Sequence, residues 1–243
     1  VITTILFYFV ARNLWNWSFL PTAALCLFFL IIDVAFFGAN IIKFFDGGWF
    51  PLTLAVLIFT MMMTWKKGRS LIQDRIQRET QPLEDFLKDL EKQKVHRVPG
   101  TAVFMNGNAS RTPVALLHNL EHNKVLHENV VFVTVKTKAV PYIDETERVL
   151  IEKLGKGLSR MKIYYGYMQD PNVPEVLQYL DNLGFKFNPD DTTYFLGHET
   201  IISTHKYSGM THWREKLFAV MAKNARSAVA YFKIPSDRVV ELG

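Results

Sequence analysis

The chain has 243 residues, 49% of them apolar and 14% aromatic, with a formal net charge of +5. Its single cysteine, Cys26, rules out a disulfide framework and a Cys-based zinc site. The basic balance comes without a stripe of interleaved aromatics, which argues against nucleic acid as a partner. The averages hide a division: up to Trp65 the only charged side chains are Arg12, Asp33, Lys43 and Asp46, whereas the remainder is rich in charge. The opening run 1–11 is apolar but too short to cross a bilayer, which needs about 20 residues. It reads as the end of a membrane helix, and the chain as the C-terminal piece of something larger.

Residues 19–39 and 49–65 are two apolar segments long enough to span, and Lys66, Lys67 and Arg69 follow the second. Basic residues at a membrane exit place it in the cytoplasm, so the turn between the spans faces the far side and Arg12 returns to the cytoplasmic side. Trp15, Trp17, Trp49 and Trp65 fall where indoles favour the interface. Asn40, Asp46, Gly47, Gly48 and Trp49 mark a tight turn before the last span, with glycine available for positive φ and Pro51 suited to a first helical turn. Asp33 lies deep in an apolar run, where an ionised carboxylate costs a few kcal/mol or more unless partnered. Two roles fit it: an ion or proton relay, or an intramembrane polar contact to another helix.

From 68 to 94 the pattern is helical and highly charged, with a narrow apolar stripe that includes Leu83, Phe86, Leu87 and Leu90. Pro82 divides it, and the second piece is expected to pack on the domain that follows. Beyond Pro99-Gly100 the spacing predicts a strand at 102–105, a turn at 106–108 and a helix over 114–123. That helix would start at Thr112-Pro113, with Thr112 as N-cap. A strand at 129–136 completes a βαβ unit, which requires a parallel pair. Further strands are predicted at 146–151, 161–168 and 193–199, a helix at 174–183 ended by Gly184, and one long helix over 211–232. The fold class is thus an α-helical membrane segment, comprising the end of one span plus two full transmembrane helices, followed by a cytoplasmic α/β domain with a mixed sheet. The boundaries are 1–67 for the membrane segments, 68–97 for a charged helical linker and 98–243 for the C-terminal domain.

No catalytic constellation appears, so the chain is not read as an enzyme, and no cofactor is implied. His118 and His122 share a helix face near His127, Glu121 and Glu128, but the sequence lacks the Glu that follows the first His of a zinc-protease helix, so no metal site is assigned. The loop bearing Asn106, Asn108 and Thr112 offers backbone N–H groups ahead of a helix and is the candidate nucleotide or anion loop, without P-loop or GxGxxG spacing.

Several stretches carry a resemblance. Asn40-Ile41-Ile42-Lys43-Phe44-Phe45-Asp46-Gly47-Gly48-Trp49-Phe50-Pro51 resembles the turn before the last span of the KUP/HAK/KT potassium-transporter family, its bacterial members most closely. Pro99-Gly100-Thr101-Ala102-Val103-Phe104, His118-Asn119, Lys124-Val125-Leu126-His127-Glu128, Tyr165-Gly166-Tyr167-Met168, Phe195-Leu196-Gly197-His198-Glu199-Thr200 and Arg238-Val239-Val240-Glu241-Leu242-Gly243 resemble that family's cytoplasmic domain. One departure is Gln169, where many relatives have Glu.

The resemblance implies a proton-coupled potassium importer of the bacterial inner membrane, whose potassium-binding helices precede this region, so no potassium ligand is carried over. Asp33 looks like a recurrent acidic position outside the transport core, which favours the helix contact. The implied partners are potassium and protons through the full-length core, the lipid bilayer, the preceding transmembrane helices and a second copy in a homodimer. A membrane-anchored ligand-binding or sensor module is the alternative.

Overall fold

A computed structural model describes residues 1–181, 187–198 and 209–243. The chain forms two compact units, Val1–Met63 and Thr64–Gly243. In the first, α1 (Ile2–Asn13) is followed by α2 (Phe19–Ile42), a π-helical turn at Phe44–Gly48, and the start of α3 (Trp49–Glu79). At 1.5 Å per residue the 24 residues of α2 exceed the ~30 Å of a bilayer's hydrocarbon core. Its mean hydropathy is 2.4. Leu20, Phe28, Ile31, Phe36 and Ile42 are exposed all round the helix. A helix in water hides an apolar stripe; one that is apolar on every side has lipid for solvent. The turn that follows uses Gly47 at φ 125°, and the Lys43 carbonyl accepts from the N–H groups of Asp46 and Gly48.

The last span was expected to end near Trp65, but α3 continues to Glu79. Lysine, arginine and glutamine are good helix formers, so a charged stretch ends the apolar segment without ending the helix, and the break waits for Pro82.

In the second unit, α4 (Leu83–Lys92) leads into β1 (His96–Met105). α5 (Val114–His118) runs on through a π turn, Asn119–Asn123, and is stopped by left-handed Lys124. β2 (Val125–Lys138), a 3₁₀ turn at Glu145–Glu147, β3 (Val149–Gly155), β4 (Leu158–Gly166) and α6 (Val173–Asp181) follow. β5 (Thr192–Gly197), α7 (His212–Lys223), α8 (Ala228–Tyr231) and β6 (Val239–Leu242) complete the unit.

The strands form one sheet ordered β3-β4-β2-β1-β5-β6, parallel except for the antiparallel β3–β4 pair. The mixed α/β class expected from sequence is present, including the parallel β1–α5–β2 unit. Alternate residues serve opposite faces, as a pleated strand requires. Val103, Val131, Val133, Met161 and Ile163 pack on α6, while Ala102, Phe104, Val130 and Phe132 pack under α4 and α5. α4 lies with the core, through Leu83, Phe86 and Leu90.

Four expectations need correction. The segment 146–151 opens as a 3₁₀ turn, and its strand is shifted to Val149–Gly155, because the Lys156-Gly157 turn sets its register against β4. Tyr167 and Met168 lie beyond β4 in a loop. The single last helix is two helices: Asn224 closes α7, and Ser227 caps α8 by accepting from the Ala230 N–H. Thr112 is not the N-cap of α5; that position is Pro113, and the Thr112 hydroxyl donates instead to the Gln81 carbonyl. Leu183, Gly184 and Glu199, which the predicted helix end and strand end invoked, lie outside the described residues.

Candidate functional site

Asp33 sits where α1 and α2 meet. Its carboxylate on α2 accepts a hydrogen bond from the Thr4 hydroxyl on α1. Ala11 and Thr22 are fully buried, and the Thr22 hydroxyl is turned back onto the Ser18 carbonyl. The acid therefore makes an interhelical contact. In the turn residues singled out by sequence, Asn40 donates to the Phe36 carbonyl one helical turn back, and Trp49 is 52% exposed at the start of α3.

The second unit grips the end of α3. Gly68 meets the face of Phe218 on α7, where an added methyl would lie 2.4 Å from the ring. Trp65 packs on the same ring at 5.5 Å, and Arg214 donates from Nε to the Thr64 hydroxyl at 3.0 Å. Trp65 is thus a packing residue of this unit.

The loop proposed for anion binding makes a different set of bonds. Asn106 donates to the carbonyls of Asn108 and Arg111 and accepts from the Asn108 N–H, while the Asn108 carboxamide accepts from the Ser110 N–H. Thr112 is 1% exposed and holds the Gln81 carbonyl at 3.0 Å. Arg111 donates to the Thr80 carbonyl at 2.5 Å, and the Leu83 N–H donates to the Ser110 carbonyl. The loop is a clasp on the α3–α4 connection.

Ion pairs fasten α4 to the sheet. Arg160 on β4, almost buried, meets Glu84 at 2.5 Å and Glu152 at 3.6 Å, and Lys156 meets Glu91 at 3.0 Å. The Glu84 carboxyl is held below the ordinary carboxylate range first by its own backbone N–H at the start of α4 and then by Arg160. Sequence reasoning missed Arg111, Glu84 and Arg160, since partners 76 positions apart leave no local signal.

The histidines do not converge. His118 and His122 stack edge-on at 6.1 Å, whereas His127 packs against Phe195 at 5.8 Å. Among the described residues no group of three His, Cys, Asp or Glu side chains could hold a metal ion. Among the described residues the buried His127 Nδ1 has no hydrogen-bond partner, and burial pushes its pKa below 6.5 against the opposing pull of Asp191. The unfolded chain then takes up its proton first. The contribution of His127 to stability is full above 6.5 and is lost as pH falls through the lower folded value. His127→Phe is expected to flatten the pH dependence of amide-exchange protection in β1 and β2 as the pH falls through and below 6.5. An unchanged slope would reject this.

Residues 99–243 match the family model described as the K+ potassium transporter C-terminal domain, and residues 1–70 match the K+ potassium transporter integral membrane domain. The chain is 49% identical over 243 residues to a Geobacter sulfurreducens protein named "Probable potassium transport system protein Kup 1", covering 100% of this chain and 38% of that one. It is 50% identical over 246 residues to a Myxococcus xanthus protein named "Probable potassium transport system protein Kup", covering 100% and 37%. A Nitrosomonas eutropha protein of the same name is 47% identical over 243 residues, covering 100% and 38%. No solved structure matches the chain. The chain spans little more than a third of the length of these relatives. Two matches in chain order, on apolar helices exposed on every side and on a mixed α/β unit, make this chain an integral membrane member of the potassium transporter family.

Proposed function

We propose that this chain is the C-terminal part of a potassium uptake transporter carrying potassium with protons across the bacterial inner membrane. Its α/β domain lies in the cytoplasm and steadies or regulates the transport core. The observation that carries this is the match of both parts of the chain, in order, to one transporter family. Lys66, Lys67 and Arg69 after the last apolar stretch support a cytoplasmic tail. Regulation requires the tail to favour one state of the core by a difference in free energy. The route for it runs along α3, which α7 grips and the 106–112 loop clasps.

The test is rubidium uptake by potassium-uptake-deficient bacterial cells expressing the full-length parent, beside a version stopped after Glu79, at equal membrane expression. A stop after Arg97 would end inside β1 and leave Leu83, Phe86 and Leu90 of α4 without the sheet that buries them. Uptake by the parent is expected, and its absence overturns the proposal. Uptake that survives the stop makes the tail a modulator; uptake that vanishes makes it part of the working transporter.

Asp33→Asn in the parent is expected to retain uptake within about twofold, because an amide oxygen still accepts the Thr4 hydroxyl and no charge is left to partner. Loss of uptake at normal expression would put Asp33 on the ion or proton path instead.

A further inference from the structure

Two loops at the carboxyl ends of β2 and β4 form an exposed apolar tip. Val140 is 42% exposed, Tyr142 65%, Tyr167 62% and Met168 62%. Surface hydrophobics scattered singly need no explanation, but four on two joined loops form a patch.

The patch is rigidly built. The Tyr167 N–H donates to the Val140 carbonyl at 2.9 Å, and the Met168 N–H to the Pro141 carbonyl at 3.1 Å. Beneath them the Gln169 side chain accepts from the N–H groups of Ile143 and Gly166 and donates to the Ile143 carbonyl. A carboxylate at that position would lack the donor, so the amide suits this place. Ile143 is buried, and the Tyr165 hydroxyl bonds both the carbonyl and the N–H of Asn172. Large side chains held exposed on an ordered frame lose little entropy on binding, the condition for a docking hot spot.

The surroundings are acidic. Asp144, Glu145, Glu147, Asp170 and Glu175 are exposed, and none meets a cation within 4 Å among the described residues. The neighbouring bases include Lys138, over the Tyr164 ring at 4.8 Å, half-buried Arg148, over the Tyr165 ring at 5.5 Å, and Lys233, which follows the Phe232 whose carbonyl accepts from the Val173 N–H, fewer than the acids. An anionic leaflet attracts basic residues by about 1 kcal/mol each and repels acids, so this tip is not a lipid anchor. Cytoplasmic loops next to membrane spans are instead enriched in lysine and arginine. A domain tethered to the same polypeptide meets them at an effective concentration in the millimolar range.

We propose that the Val140–Tyr142–Tyr167–Met168 tip docks on a basic cytoplasmic loop of the membrane domain, in the part of the full-length transporter that precedes these residues. The inference rests on the transport function proposed above and names the surface through which the tail acts. The experiment places the photo-reactive p-benzoylphenylalanine at Tyr167, and separately at Leu150 on the exposed edge strand β3 as reference, in the full-length parent in native membranes. Crosslinked peptides are identified by mass spectrometry, with two differently tagged copies co-expressed.

The expected result is a crosslink from position 167 to a lysine- or arginine-bearing loop of the same polypeptide, absent from position 150. Asp144→Lys with Asp170→Lys is expected to weaken it about tenfold without disturbing the fold, both side chains being exposed. Crosslinks to lipid, to a second copy or to unrelated protein, or labelling no stronger than at position 150, overturn the proposal. Rubidium uptake in the same cells separates the two inferences. A parent that takes up rubidium without the crosslink overturns the dock alone; one that crosslinks without uptake supports the dock and overturns the transport function.

Discussion

Phe104→Ala is expected to destabilise the α/β domain by about 3–5 kcal/mol, a large part of the roughly 5–15 kcal/mol that holds an ordinary domain folded. Phe104 is fully buried at the centre of the sheet on β1. Its ring stacks on Phe195 at 4.7 Å and packs on Phe132 at 6.3 Å. Leu83, Phe86 and Leu90 of α4 and Leu116 of α5 belong to the same cluster. Removing the ring leaves a cavity that the strands, fixed by their hydrogen bonds on both sides, cannot collapse to fill. The helix that links α3 to the sheet thereby loses its seat. Urea denaturation followed by near-ultraviolet circular dichroism, with limited proteolysis of α4, measures the effect. Tyr167→Ala, at an exposed position, is the comparison and is expected to shift stability by no more than about 0.5 kcal/mol. A Phe104→Ala loss below about 1 kcal/mol would mean that this face of the sheet is not the packed core described here.

Gly166→Ala is the second large effect, expected at about 3 kcal/mol. A Cβ there would lie 2.1 Å from the Pro141 carbonyl oxygen, 2.4 Å from its carbon and 2.6 Å from the Tyr142 nitrogen. All three are backbone atoms, so no side-chain rotation relieves the clash and the two tip loops must part. The Gly166 N–H bond to Gln169 at 2.8 Å would go with them. Gly107→Ala is the control, since no atom of the described residues lies within 4 Å of its added methyl. Denaturation midpoints compare the two. The docking proposal adds that the position-167 crosslink disappears in Gly166→Ala and persists in Gly107→Ala. Equal midpoints for the two variants would reject the close approach of these loops.

Much of the architecture was legible because it is written in local patterns. The length and composition of 19–39 and 49–65 announce spans, since burying a backbone in lipid demands a helix of that length. Alternation along 129–136 announces a strand with two buried faces, and the order strand, helix, strand requires a parallel pair. The tight turn at Gly47 was readable from its glycines.

The misreadings share a cause. β6 has four residues and no alternation of its own; it is a strand because β5 offers an edge in register with Val239–Leu242. The register of β3 comes from β4. The residue types of the 106–112 loop favour turns, and only the position of Thr80–Leu83 shows that Arg111, Thr112 and the Ser110 carbonyl bond the α3–α4 connection. The break between α7 and α8 did have a local sign, Asn224 followed by Ser227, which the apolar spacing on either side obscured.

By itself the sequence determined the solvent of each part of the chain, the number of apolar spans, the α/β class and the family resemblance. Those follow from the free energy of placing residues in lipid or water and from short-period patterning, both sums over neighbours along the chain. Tertiary structure alone decided that Arg160 meets Glu84, that α7 closes on Gly68, and that Gln169 binds two loops into one tip. Each of these joins groups far apart in sequence, and their meeting depends on which close-packed arrangement the whole sheet and its helices adopt.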